Sequence, residues 1–384
     1  MALGKVQVDN INQYQNTPDE VERRFVFIGK TTIASLQNKI TSLNAGTDLD
    51  KVFSETAAKT TKSDTDSYAY KDLVAAQLNA GQNWTAAFFG LEAEGSWTDA
   101  LDRAIVDNAY ESVVVCDPVT DAAALEVAKT KMADVQSKSA QYMFVMMRTS
   151  PIDATPESGQ DWAAYKTALA SLVSNFVAER VMCVPTLFEN DLGILAGRLC
   201  NRSVTVADSP MRTKTGTLLG MGSASTDKAG APMPGTLFAD LDALGYSVPQ
   251  SYPGEKGWYW ADGNTFDLET GDYKLIENLR VVLKACRQVY KIAIPTIADR
   301  SLNSTPQSQE KHKAVYRKPL LIMARAVQIN GVPFPGEIQP PGDNAIEINW
   351  IDDRQVKIYI TVRPYYSPKD ITVGVGIDLS LQEG

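Results

Sequence analysis

ESVVVCDP (residues 111–118), followed after a short polar gap by AAALEVAKTKMADVQ (122–136), decides how this chain is built. The first stretch is a short continuous apolar run rich in valine, the pattern of a strand buried on both faces. In the second, apolar residues recur at three and four, as on one face of a helix. The unit repeats on either side. RRFVFIG (23–29), TAAFFG (85–90), SAQYMFVMMRTS (139–150) and RVMCVPTLF (180–188) read as further buried strands, and WAAYKTALASLVSNFVAER (162–180) as a further helix. Strands alternating with helices of this length predict an α/β layered domain with a largely parallel sheet.

Outside that pattern the chain changes character. Residues 213–235, TKTGTLLGMGSASTDKAGAPMPG, are rich in Gly, Ser, Thr and Pro and predict a long loop. A helix is expected from about Lys274, with Ile276, Leu279, Leu283, Cys286 and Tyr290 on one stripe and Arg280, Lys284, Arg287 and Lys291 on another. AIEINW (345–350) and VKIYITV (356–362) alternate and predict a hairpin through IDDRQ. The end, ITVGVGIDLSL (371–381), alternates for eleven positions, with Ile371, Val373, Val375, Ile377, Leu379 and Leu381 as its apolar members. A terminal strand of this kind is either an edge of its own sheet or an arm that completes a neighbour's. Val6, Val8 and Ile11 give the opening a similar, rougher alternation. The expected fold class is therefore α/β, α+β overall: a layered domain over 21–271, a C-terminal α+β domain over 272–384, and strand-like segments at 1–20 and 369–384.

Composition narrows the function. The 384 residues are 44% hydrophobic and 22% charged, as in a globular protein. The opening MALGKVQVDN lacks an apolar signal core, and no run approaches the roughly 18 apolar residues of a membrane span, so no membrane insertion is expected. Cys116, Cys183, Cys200 and Cys286 are dispersed in apolar contexts, which predicts small buried hydrophobes rather than disulfides or a metal set. The net charge of −9 conceals a basic block: between Lys274 and Ala326 stand eleven Lys or Arg against three acidic residues. Such a block suits an electrostatic contact with an acidic partner. Nucleic acid is disfavoured, because stacking aromatics and recognition motifs are sparse there.

Catalytic constellations are hard to assemble. His312 is the sole histidine and sits among lysines, which predicts a solvated position. One histidine without clustered cysteines leaves too few ligands for zinc, and no GxSxG elbow accompanies it. GMGSAS (220–225) lacks the spacing of a phosphate loop. No cofactor and no metal are expected. SYPGEKGWYWADGNTFD (251–267) is the one stretch that invites an enzymatic reading. Tyr252, Trp258, Tyr259, Trp260 and Phe266 with Asp262, Asp267 and Asp272 would suit a carbohydrate-active hydrolase over 251–272. The reading preferred here is a hairpin-like element whose turns are Pro253-Gly254 and Asp262-Gly263, and whose aromatics fill a core or domain junction.

Three stretches carry a family resemblance. VDNINQYQNTPDEVERRFVFIGK at the start, GYSVPQSYPGEKGWYWADGNTF (245–266) and VRPYYSPKDITVGVGIDLS (362–380) together resemble contractile tail sheath proteins of bacteriophages and phage-tail-like particles. The resemblance implies a structural subunit without catalysis, forming stacked hexameric rings or a helical stack with itself around a tail tube protein, and meeting baseplate and tail terminator proteins. It implies a place in the virion tail after assembly in the host cytoplasm, no direct contact with nucleic acid, and an outward-facing α/β domain. It further implies strand augmentation between subunits through Val6, Val8, Ile371, Val373, Val375, Ile377 and Leu379. Arg280, Lys284, Arg287 and Lys291 would meet the tube through charge.

Overall fold

The computed structural model describes residues 21–57 and 60–377. Its centre is a six-stranded sheet in the order β2-β5-β1-β6-β7-β8. These are β1 (Phe25–Lys30), β2 (Ile40–Asn44), β5 (Thr85–Leu91), β6 (Ser112–Val119), β7 (Phe144–Thr149) and β8 (Val181–Val184). All neighbours run parallel except β2, which pairs antiparallel with β5 at one edge. A small antiparallel pair, β3 (Ser54–Ala57) with β4 (Thr60–Ser63), lies outside it.

Strand alternation sorts the core into two layers. Val26, Ile28, Val113, Val115, Val145, Met147, Val181 and Cys183 face one way, toward α3 (Trp97–Ala104), α4 (Ala122–Ser139), α5 (Trp162–Leu172) and α7 (Thr236–Ala243). Phe25, Phe27, Phe88, Val114, Phe144, Met146 and Met182 face the other way, toward α2 (Tyr68–Ala80), α6 (Asp191–Cys200) and the start of α8 (Ile276–Ala293). A single-turn helix, α1 (Leu49–Val52), precedes β3. Both faces being covered explains why the strands read as unbroken apolar runs. Capping fixes the helix starts: Asp121 accepts from the Ala124 amide and Asp161 from the Ala164 amide. On the second face α6 lies against α2 with almost no space. A Cβ on Gly193 would stand 2.2 Å from the Asp72 carbonyl oxygen, and one on Gly197 2.5 Å from that of Ala76.

The aromatic stretch is a hairpin, β9 (Pro249–Gln250) against β10 (Tyr259–Trp260). Pro253-Gly254 makes the expected turn, with the Glu255 amide donating to the Tyr252 carbonyl and Gly254 at φ 87°. Asp262-Gly263 makes no turn. Gly263 instead lets the chain pass Ile276, whose Cγ2 would lie 2.3 Å from an added Cβ. Residues 213–235 form the loop that their composition predicts, apart from one short 3₁₀ turn.

The chain divides into two compact units after Gln288. The sequence expectation put a boundary at 271/272. The compact division comes later, because Ile276, Leu279 and Leu283 belong to the core beneath the large sheet. The second unit holds α9 (Pro306–Met323), the pair β11 (Val327–Ile329) and β12 (Val332–Phe334), and the hairpin β13 (Ile346–Trp350) with β14 (Val356–Ile360). Tyr316, Leu320 and Met323 of α9 and Ile346 and Ile348 of β13 are buried. His312, expected to be solvated, is buried too, its Nδ1 2.9 Å from the Ser308 carbonyl. The reason is helical spacing: His312, Tyr316, Leu320 and Met323 share one face of α9, and the sequence reading did not see that helix. Among the described residues no helix is long and apolar enough to cross a membrane.

Candidate assembly site

Two groups of residues were expected to bear on assembly, the terminal segments and helix α8. Among the described residues, 371–377 pair with no strand, and Ile371, Val373, Val375 and Ile377 are 71–91% exposed. The subunit's own sheets therefore leave this alternating segment unused. Val6, Val8 and Leu379 lie outside the described residues.

Helix α8 was expected to present four cations. It does not. Arg280 is 2% exposed: its Nε and Nη2 donate to Glu111 Oε1 and Oε2 at 2.7 and 3.0 Å, and Nη2 also donates to the Leu199 carbonyl. Arg287 is 8% exposed and donates from Nε and Nη2 to Glu22 Oε1 at 3.1 and 3.0 Å, with Nη1 on the Tyr142 carbonyl. Neither guanidinium is available to another molecule's surface, which corrects the tube-contact assignment for these two. Position explains it: Ile276, Arg280, Leu283 and Arg287 recur at four and three, so both arginines fall on the buried stripe. Lys284 is half-buried, and Lys291 is exposed in the last turn of the helix.

The carboxylates opposite were missed. Glu111 is fully buried. Burial alone would raise its carboxyl, but the paired Arg280, the nearby Arg287 and the Arg23 amide outweigh this and hold it at about 2. Arg280 responds in kind: burial pulls its guanidinium down, and Glu111 more than restores it, upward overall. The sequence carried a signal for both acids. Glu22 and Glu111 stand just before the apolar runs of β1 and β6, where a charge enters the interior and needs a partner.

A second buried group sits at the carboxyl ends of the strands. Arg148 donates to Asp72 Oδ2 at 3.1 Å and Thr186 Oγ1 at 3.1 Å, and its guanidinium lies 4.4 Å from the Tyr68 ring centroid. Asp191 accepts from the Leu187 and Phe188 amides. Burial pushes both carboxyls, Asp72 and Asp191, up to about 6, despite the Arg148 charge.

The hydrolase reading needs an exposed aromatic shelf, and the aromatics face inward. Trp260 is fully buried, Tyr259 and Phe266 are buried, and Trp258 packs between Phe188 and Phe238 with centroids 5.0 and 5.3 Å away. Asp267 makes a local turn, accepting from the Leu268 and Tyr273 amides. Asp262 and Asp272 line a cavity of about 550 Å³ with Asp242, Glu269 and Lys274. Among the described residues no group of three or more His, Cys, Asp or Glu is arranged to hold a metal.

The DUF2586 N-terminal domain matches residues 3–264, and the DUF2586 C-terminal domain matches residues 272–380. A protein of Haemophilus phage HP1 (strain HP1c1), assigned as a tail sheath protein, is 41% identical over 378 residues, covering 97% of this chain and 98% of the relative. In fold the chain is similar to the sheath of an extracellular contractile injection system, the PVC sheath complex in its contracted state. The TM-score is 0.63 at 10% identity, over 99% and 98% of the two chains. It is also similar to a sheath tail protein from Desulfitobacterium hafniense, with a TM-score of 0.52 at 11% identity over 94% and 96%. The chain belongs to the DUF2586 family, and with it to the phage tail sheath proteins.

Proposed function

We propose that this protein is the structural subunit of a contractile tail sheath. It polymerises as stacked hexameric rings around a tail tube, and the lattice shortens to drive the tube through the host envelope. The observation that carries this reading is the unused alternating segment 371–377, on a chain of the sheath family. Such a segment adds a strand to a neighbour's sheet, where each main-chain hydrogen bond contributes about 0.5–1.5 kcal/mol and the arms of many subunits act together. Links of this kind pivot without dissociating, which suits a lattice with two minima.

The proposed partners are further copies of the chain, the tube protein, and baseplate and terminator proteins at the two ends of the tail. Assembly in the host cytoplasm and residence in the virion tail follow from the same reading. The contact with the tube is assigned to Lys284 and Lys291, an acidic tube surface being the complementary partner. The mechanism calls for no catalytic residue. Electron microscopy of purified protein at high concentration tests the proposal: long tubes are expected. A particle that stays small and discrete at every concentration and salt would rule it out.

A further inference from the structure

The four charges Glu22, Glu111, Arg280 and Arg287 form one buried cluster at the residues that lead into β1. Glu22 is held by Arg287. Its neighbour Arg23 donates its backbone amide to Glu111, which is held in turn by Arg280, and the Arg23 side chain donates to the Val204 carbonyl at 2.8 Å. Arg24 closes a turn through its amide on the Val21 carbonyl, stacks its guanidinium 4.9 Å from the Tyr110 ring centroid and bonds Asn108. Arg23 itself sits at φ 67°, a left-handed conformation that a non-glycine residue keeps only when its surroundings over-determine it. Two ion pairs are a poor way to stabilise a core, since apolar residues of the same volume do as well or better. They are a good way to fix one direction of the chain.

We infer that the Glu22–Arg287 pair, backed by Arg23, Glu111 and Arg280, is an anchor. It fixes the direction of the chain at Glu22 and Arg23 and passes any pull arriving there into helix α8 rather than into the end of β1. Glu22 and Arg287 are thus positioning residues for assembly. The inference rests on the proposed role of residues 1–20 as an inter-subunit arm, and the two are tested separately.

The variant to make in the full chain is Glu22→Met with Arg287→Met, which removes both charges without leaving either one buried alone. Melting temperature, amide exchange at Arg23 and Arg24, trypsin cleavage after those arginines and tube formation by electron microscopy are read together. The expected result is an unchanged melting temperature, exchange at both amides faster by about ten-fold, new cleavage at the root, and loss of regular tubes. The swapped pair, Glu22→Arg with Arg287→Glu, is expected to bring exchange and tubes back toward the parent. Unchanged exchange, or normal tubes despite a released root, overturns the anchor. So does a melting temperature that falls in step with exchange, because the pair would then hold only the fold. Deleting residues 1–20 tests the arm alone: normal tubes from that deletion would remove the arm reading while leaving the exchange result at Arg23 and Arg24 standing.

Discussion

Glu111 holds a full charge at a fully buried position, and its environment sets how the subunit responds to acid. Its carboxyl, held at about 2 against an ordinary 4.5, favours the folded state at every pH above 4.5, and that contribution is lost as pH falls toward 2. Asp72 and Asp191 act in the opposite sense. Raised from 3.8 to about 6 by burial, they contribute stability that is complete below about pH 3.8 and is lost as pH rises through 6. Asp191→Asn should therefore flatten the decline in melting temperature between pH 4 and 6, and an unchanged slope would contradict the assignment. Glu111→Gln leaves Arg280 buried beside a neutral amide. A loss of about 3–5 kcal/mol in urea unfolding is expected, and a loss below 1 kcal/mol would mean that water reaches the site. Residues of this kind were the least legible. Arg280 and Arg287 looked like a surface stripe because a helix drawn from sequence has no fixed orientation. Only their pairing with acids 169 and 265 positions away shows which side faces in.

Elements were easier to read, with one systematic exception. Continuous apolar runs named β1, β5, β6 and β8 because a strand covered on both faces has no polar side to confuse the pattern. The strand in SAQYMFVMMRTS is shorter than its run, since α4 continues to Ser139. Likewise α5 ends at Leu172, although its periodicity goes on past it. Helix α6 escaped notice because it is short and buried all round, Asp191 and Arg198 included, so no solvent-facing polar side marks it. Its contact with α2 is the place to test packing. Gly193→Ala would drive a methyl into the Asp72 backbone, and a destabilisation of about 1–3 kcal/mol or more is expected from overpacking. Gly342→Ala, where an added Cβ meets nothing within 4 Å, should change stability far less. Equal effects in chemical denaturation would show that α2 and α6 separate at little cost.

For the whole molecule the test is whether folding and assembly come apart. Among the described residues 369–377 no side chain is buried, so on removal of residues 369–384 the melting temperature should hold while tubes fail to form. Parent-like tubes in micrographs of the truncated chain would refute the arm assignment. Reversal of charge at Lys284 and Lys291 should weaken co-sedimentation with the tail tube and leave tube-free sheaths intact, and undiminished co-sedimentation would move the contact elsewhere. The exposed segment also bears on how the subunit survives before assembly. ITVGVGI (371–377) has no proline, no charge and alternating apolar residues, the composition from which aggregates nucleate. Pro368, Lys369 and Asp370 before it and Asp378 after it flank it as gatekeepers in the sequence. If the proposed arm joins subunits through this segment, the same segment would set a ceiling on how many can wait unassembled in one compartment. Growth on a template must then outpace random encounter, and the timing of synthesis becomes part of the design of the tail.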